Sequence, residues 1–106
     1  MDTPPNLTYI KTLAAGDSNF ENKLITLIKK EFPLDVQQYY QLLEKKDFPA
    51  LAACVHKMKH KIGVLGLTEG YHLASAYEKA ITAKKTTQKE AFDHIIKRLS
   101  QFISSL

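Results

Sequence analysis

The chain has 106 residues, of which 44% are hydrophobic, and a formal net charge of +4. This length predicts one domain over residues 1–106, in which residues 1–6 are a flexible lead-in. No apolar run approaches the roughly 20 residues of a membrane-spanning helix, and residues 1–15 lack the pattern of a signal peptide. The mild charge suits an acidic protein partner as well as a nucleic acid.

The first half of the chain predicts a short helix and a long one. A short helix covers residues 7–15. Ser18 and Glu21 have the spacing of a capping box, so a second helix is expected to begin at Ser18 and to run to about Lys46. Pro33 lies inside it and removes one backbone donor, which predicts a kink or a division into two helices.

The second half predicts three further helices. Asp47 can cap a third helix that ends near Gly66. Thr68 can cap a fourth helix that ends near Lys84, and a capping box of Thr87 and Glu90 predicts the start of the fifth. Long helical patterns without period-two alternation indicate an all-α fold. The short links predict an antiparallel up-down-up-down four-helix bundle with a short extra N-terminal helix.

One histidine of the third helix lies outside its apolar stripe. At about 100° per residue, the stripe covers a band of roughly 80°, and His56 lies about 140° from its middle. The stripe consists of Leu51, Val55, Met58, Ile62 and Leu65. His56 is therefore expected to face water, with Ala52, Lys59 and Gly63 on the same face. An exposed imidazole ordinarily has a pKa of about 6.5, so it is mostly neutral and nucleophilic near neutral pH.

The residues around His56 carry a family resemblance. The run Val55-His56-Lys57-Met58-Lys59, continued by Gly63 and Gly66, resembles the signature of histidine-containing phosphotransfer (HPt) domains. Those domains have a His-x-hydrophobic-Lys-Gly core, then a small residue and a late glycine. The order of the helices, the proline in the long helix and the Asp47-Phe48 entry into the third helix are also similar, so the resemblance covers nearly the whole chain.

The resemblance implies a phosphorelay intermediate. His56 would accept a phosphoryl group from the phospho-aspartate of one receiver domain and pass it to another receiver. Lys59 would stabilise the phosphoryl charge, and Glu78 would orient the imidazole by accepting a hydrogen bond from its inner nitrogen. Ala52 and Gly63 would allow a partner to dock because they are small.

His60 departs from the family pattern, which usually has glycine four residues after the histidine. An imidazole there is expected to narrow the approach to His56 or to contact the partner or the phosphoryl group, so His60 joins the predicted docking residues. Lys57, Lys59 and Lys61 together predict a basic docking face.

The implied partners are response-regulator receiver domains or a hybrid sensor histidine kinase. The chain is expected to be a monomer without its own kinase activity, since it has no glycine-rich nucleotide loop. We expect no contact with nucleic acid or membrane, and no cofactor or metal ion on the chain itself, with Mg²⁺ on the partner receiver domain. The lone Cys54 cannot form an internal disulfide, which suits a reducing, cytoplasmic setting.

Three alternatives stay open. A bundle that has lost phosphotransfer would only dock a receiver, and His60 in the glycine position favours this alternative. A basic helical nucleic-acid binder would bind in a salt-dependent manner. A metal site is the third, because His56 and His60 are four residues apart, but it needs a further ligand such as His72 or Cys54.

Overall fold

Five helices make up the fold in the computed structural model, which describes residues 4–106. They are α1 Thr8–Ala14, α2 Ser18–Lys45, α3 Phe48–Val64, α4 Thr68–Thr82 and α5 Lys89–Ser104. Residues 4–106 contain no strand, and the all-α prediction is confirmed. Of the predicted lead-in, residues 1–3 lie outside the described part of the chain.

Aspartates begin the two helices that matter most for the site. The Asp47 carboxylate accepts a hydrogen bond from the Ala50 amide at 3.3 Å, so the predicted cap of α3 is confirmed. The predicted cap of α2 at Ser18 is wrong by one residue. Asp17 accepts from the Phe20 amide at 3.1 Å, and Ser18 is already helical. A carboxylate at this position also interacts favourably with the helix dipole.

The last two helices begin without the predicted side-chain caps. The N-cap residues are Leu67 for α4 and Gln88 for α5, and neither makes a side-chain cap hydrogen bond. The capping roles predicted for Thr68 and Thr87 are therefore wrong. The Thr87 hydroxyl instead donates to Gln88 Oε1 at 3.0 Å.

Pro33 lies inside α2, which continues through it from residue 18 to residue 45. The predicted division into two helices does not occur. Proline cannot donate to the carbonyl four residues earlier, which belongs to Lys29. Both residues are exposed, so water can satisfy that carbonyl.

The helices close into a ring. Helix α2 contacts α3 and α5, α4 contacts the same two helices, and α1 contacts α2. Because the links are short, consecutive helices run antiparallel, and the predicted four-helix bundle with an extra N-terminal helix is confirmed. None of the helices in residues 4–106 combines the length and apolar character needed to span a membrane.

The turn after α3 is held by the segment before α1. The Asn6 amide donates to the Leu65 carbonyl at 2.8 Å, and Asn6 Oδ1 accepts from the Thr8 amide at 3.0 Å. Gly66 has a φ of +87°, and a Cβ there would lie 2.5 Å from Asn6 Nδ2. Only glycine satisfies both conditions, so Gly66 fixes how α3 turns into α4.

Two tyrosines meet at the centre of the bundle. The hydroxyls of Tyr39 on α2 and Tyr77 on α4 are 2.7 Å apart, and both side chains are fully buried. Phe92 of α5 packs against both rings, with centroid distances of 5.1 and 5.3 Å. The largest buried side chains around them are Phe32, Ile10, Leu51, Met58, Ile62, Leu65, Ile81 and Leu99. This pair sets the position of α4 relative to α2.

The tyrosine pair generates a stability prediction. Tyr39→Phe or Tyr77→Phe leaves one buried hydroxyl without its partner, so each is expected to lower the free energy of unfolding by about 1–3 kcal/mol. The double variant is expected to lose less than the sum, because no orphaned hydroxyl remains. Urea unfolding of the wild type, the two single variants and the double variant measures this double-mutant cycle. Strictly additive losses in the free energy of unfolding would contradict the coupling between the two hydroxyls.

Candidate functional site

His56 lies on the solvent-facing side of α3, as predicted. Its neighbours Val55 and Met58 are fully buried and fill the interior. The imidazole itself is 51% exposed. The ring is therefore accessible to a partner, while the helix that carries it is fixed by the core.

Glu78 of α4 holds the inner nitrogen of this ring. Its two carboxylate oxygens lie 3.0 and 3.1 Å from His56 Nδ1. An ionised carboxylate can only accept hydrogen bonds, so Nδ1 carries the proton. In the neutral imidazole, Nε2 then has the free lone pair. Glu78 thus selects the tautomer whose outer nitrogen is nucleophilic.

Lys59 is placed differently from the prediction. Its Nζ lies 3.1 Å from Glu78 Oε1, and only 10% of its side chain is exposed. The same ammonium lies 5.5 Å from the centroid of the Tyr71 ring. The expected position on the exposed helix surface is therefore wrong, because α4 covers this lysine. Lys59 is linked to His56 indirectly, because the Glu78 carboxylate accepts hydrogen bonds from both side chains.

The carboxyl of Glu78 has a lowered pKa. Partial burial acts to raise it, but the hydrogen bonds from Lys59 and His56 outweigh burial and bring the pKa below its ordinary value. Glu78 is therefore ionised at neutral pH and accepts from both partners. The three residues form one connected unit across α3 and α4.

His60 lies one turn further along α3 and is exposed. Its Nε2 is 3.3 Å from Nε2 of His56. The two rings meet edge to face, with centroids 4.9 Å apart. His60 thus contacts the one nitrogen of His56 that Glu78 leaves free, and the expectation that it narrows the approach to His56 agrees with this geometry.

The two small residues predicted for docking do not lie open beside His56. Ala52 is buried, with 8% exposure, so the expectation that it faces solvent is wrong. Gly63 is partly buried. A Cβ on Gly63 would lie 3.0 Å from Cδ2 of Tyr71. Glycine at this position therefore makes room for a neighbouring ring, and its docking role stays a prediction.

Tyr71 is a site residue that the sequence analysis did not identify. Its ring lies beside Gly63, and the ammonium of Lys59 is 5.5 Å from the ring centroid. Its spacing of seven residues from Glu78 was an available signal, since residues seven apart share one face of a helix. Tyr71 and Glu78 together form the surface of α4 that covers Lys59.

Asp35 is a second residue that the sequence analysis did not identify, and it changes the electrostatics of the predicted basic docking face. This buried carboxylate of α2 pairs with Lys57 at 3.1 Å and with Lys61 at 2.9 Å, and Glu31 pairs with Lys61 at 3.2 Å. Burial acts to lower the pKa of Lys61, but its pairing with Asp35 and Glu31 raises it above the ordinary value. With Lys59 on Glu78, all three lysines of the predicted basic face are paired with carboxylates.

No metal-ligand set is present in the described part of the chain. Within residues 4–106, no three His, Cys, Asp or Glu side chains converge so that they could hold an ion. Of the suggested third ligands, Cys54 is buried with its thiol 3.6 Å from the Asp35 carbonyl oxygen. His72 lies edge-on against the Tyr71 ring, at a centroid distance of 5.9 Å.

Comparison with known families gives one match. A family model described as Hpt domain matches residues 23–106. This range contains His56, Lys59 and Glu78, together with helices α3, α4 and α5 in full. Curated proteins and solved structures gave no match.

The lowered pKa of Glu78 predicts a pH-dependent contribution to stability. A carboxylate whose pKa is lower in the folded than in the unfolded state stabilises the fold above its ordinary pKa, which is about 4.5 here. We expect Glu78→Gln to unfold at a lower urea concentration than the wild type at pH 7. The difference should disappear as the pH falls from about 4.5 through the lowered pKa of Glu78.

Glu44 is the matched control, because it is an exposed glutamate of α2 outside the first turn of its helix. Glu44→Gln is expected to unfold at no lower urea concentration than the wild type at pH 7. A Glu78→Gln difference that persists unchanged well below the lowered pKa would contradict the ion-pair assignment.

Proposed function

We propose that this chain, which belongs to the Hpt domain family, is a phosphorelay intermediate that carries a phosphoryl group on Nε2 of His56. Family membership supports a general role in histidine phosphotransfer. The observation that carries the specific proposal is the hydrogen bond between Glu78 and His56 Nδ1. It assigns the lone pair of an accessible ring to Nε2, which is what a nucleophile needs.

The proposed transfer is a displacement at phosphorus. Nε2 of His56 forms a bond to the phosphorus of a receiver phospho-aspartate. The bond between phosphorus and the aspartate oxygen breaks, and the carboxylate leaves with the electron pair. The Nδ1 proton stays on the ring, which becomes a cation. The reverse displacement by a second receiver aspartate returns the ring to its neutral form.

Glu78 suits both halves of this cycle. It keeps the ring in one orientation before attack, and its negative charge lies 3.0 Å from the nitrogen where the ring cation retains its proton. Transfer of a phosphoryl group depends mainly on positioning and on charge stabilisation. An accessible imidazole with a fixed tautomer is thus sufficient for a phosphoryl carrier.

Lys59 is proposed as a positioning residue. Its ammonium anchors the Glu78 carboxylate, since the two groups are 3.1 Å apart and largely shielded from solvent. A charged hydrogen bond is stronger than a neutral one, so Glu78 keeps a single orientation while the charge on His56 changes. Direct stabilisation of the phosphoryl charge by Lys59 stays a prediction.

The proposed partners are receiver domains, whose own Mg²⁺ would neutralise the transferring phosphoryl group. Paired lysines give the face around His56 alternating charges rather than a uniformly basic surface. Recognition of a receiver by this face would therefore depend on matched pairs of charges and on shape. Attraction through net charge would contribute less.

Loading of His56 is directly testable. On treatment with phosphoramidate, the wild type is expected to gain one acid-labile phosphoryl group, measured by intact mass. His56→Gln is expected to gain none, because the amide has no nucleophilic ring nitrogen. His94→Gln is the matched control and is expected to load normally, since His94 is exposed on α5.

The other outcomes are also informative. If His56→Gln gains as much phosphoryl group as the wild type, the assignment of His56 as the phosphoryl acceptor is contradicted and another histidine is indicated. Failure of the wild type and of both variants to load would favour a module that only docks a receiver.

The role of Lys59 gives a second prediction. Lys59→Met keeps a buried, unbranched side chain but removes the charge that anchors Glu78. We expect loading by phosphoramidate to slow by roughly tenfold, the size expected when a charged hydrogen bond is lost. Lys57→Met, at an exposed neighbouring lysine, is expected to load at the wild-type rate. An unchanged rate in Lys59→Met, with its fold checked by circular dichroism, would remove Lys59 from the mechanism.

A further inference from the structure

His60 occupies the direction from which a phosphoryl group must arrive. Its Nε2 is 3.3 Å from Nε2 of His56, and the distance and angle are those of a hydrogen bond. The other ring nitrogen of His56 is engaged by Glu78. Both nitrogens of the proposed phosphoryl acceptor are therefore occupied by side chains of this chain.

The direction of the bond between the two histidines follows from Glu78. Because the carboxylate keeps the proton of neutral His56 on Nδ1, Nε2 of His56 can only accept. The donor must be Nε2–H of His60. The lone pair that would attack phosphorus is thus already engaged by a proton of the neighbouring ring.

We propose that His60 is a positioning residue that caps the phosphoryl-accepting nitrogen of His56 in the unloaded domain. This inference rests on the proposed function. The phosphorus must approach along the lone pair on which the His60 hydrogen lies, so His60 has to rotate away before the bond forms. Its ring is exposed, and solvent can take over its hydrogen bond. The cap hence slows loading without preventing it.

The cap makes His60 a determinant of which donors load the domain. A small donor in solution meets the domain mostly in its capped form. A docked protein can supply another acceptor for the His60 N–H and keep the cap open. The unloaded domain is thereby protected from adventitious phosphoryl donors.

The test compares the rates at which phosphoramidate loads the full chain at pH 8, where imidazoles are ordinarily neutral. His60→Ala removes the donor and keeps a strong helix former at an exposed position. It is expected to load about twofold to tenfold faster than the wild type, which is the range for one net hydrogen bond. His60→Gln retains an N–H donor and is expected to return the rate toward that of the wild type. His94→Ala is the matched control.

Nitrogen NMR of the histidine rings gives a readout that a change in access alone does not move. In His60→Ala, the ¹⁵N resonance of His56 Nε2 is expected to shift, because its lone pair loses a donor, while Nδ1 keeps its proton and its bond to Glu78. In His60→Gln the Nε2 shift should be smaller.

The two proposals fail in different ways. Loading of His60→Ala at or below the wild-type rate, or an unchanged Nε2 resonance of His56, overturns the cap. If His56→Gln does not load in the same experiment, the carrier role of His56 still stands. Loading of His56→Gln at the wild-type rate overturns both. A His60→Gln variant as fast as His60→Ala would also overturn the cap, since a side chain that keeps an N–H donor would then slow the reaction no more than alanine does.

Discussion

The carboxylate of Glu78 is the constraint on which the site depends. It accepts from His56 and Lys59 at once, so one acidic group orients the imidazole, fixes its tautomer and balances a largely buried ammonium. Each of these effects needs α3 and α4 at a fixed separation. Next to Glu78 in the chain, Tyr77 bonds to Tyr39 of α2 in the core and so places α4 relative to α2, and both of these helices pack against α3. The chemistry at the surface and the packing at the centre are therefore linked through two adjacent residues of α4.

The charges around the site are neutralised locally. Asp35 and Glu31 of α2 engage the lysines on one side of α3, while Glu78 of α4 engages Lys59 on the other. A buried carboxylate such as Asp35 is costly without a partner, and here two lysines share it. These pairs hold α3 between its two neighbours. Of the two ring nitrogens of His56, Nδ1 is engaged by Glu78 and Nε2 lies 3.3 Å from Nε2 of His60.

Several features of the fold follow from the sequence because they depend on local periodicity. The apolar stripe of α3 predicts which residues are buried and that His56 is exposed, and Asp47 predicts where that helix begins. Local rules fail at the starts of two other helices. Asp17 rather than Ser18 caps α2, and because both are strong capping residues the sequence does not choose between them. Helix α4 begins after Leu67, which has no capping side chain, so its start is set without the cap that Thr68 offers.

By itself, the sequence determined the five helices, their antiparallel order and the exposed histidine with Glu78 as its suggested partner, since spacing along a helix and a family pattern suffice for these. The environment of Lys59, Gly63 and Ala52 was decided only by the tertiary structure. Tyr71 and Glu78 of α4 cover Lys59, the Tyr71 ring fills the space beside Gly63, and Ala52 is buried. Periodicity places a residue on a side of its own helix, but the side chains that cover it come from other helices. Their contribution depends on the rotation and separation at which the helices pack.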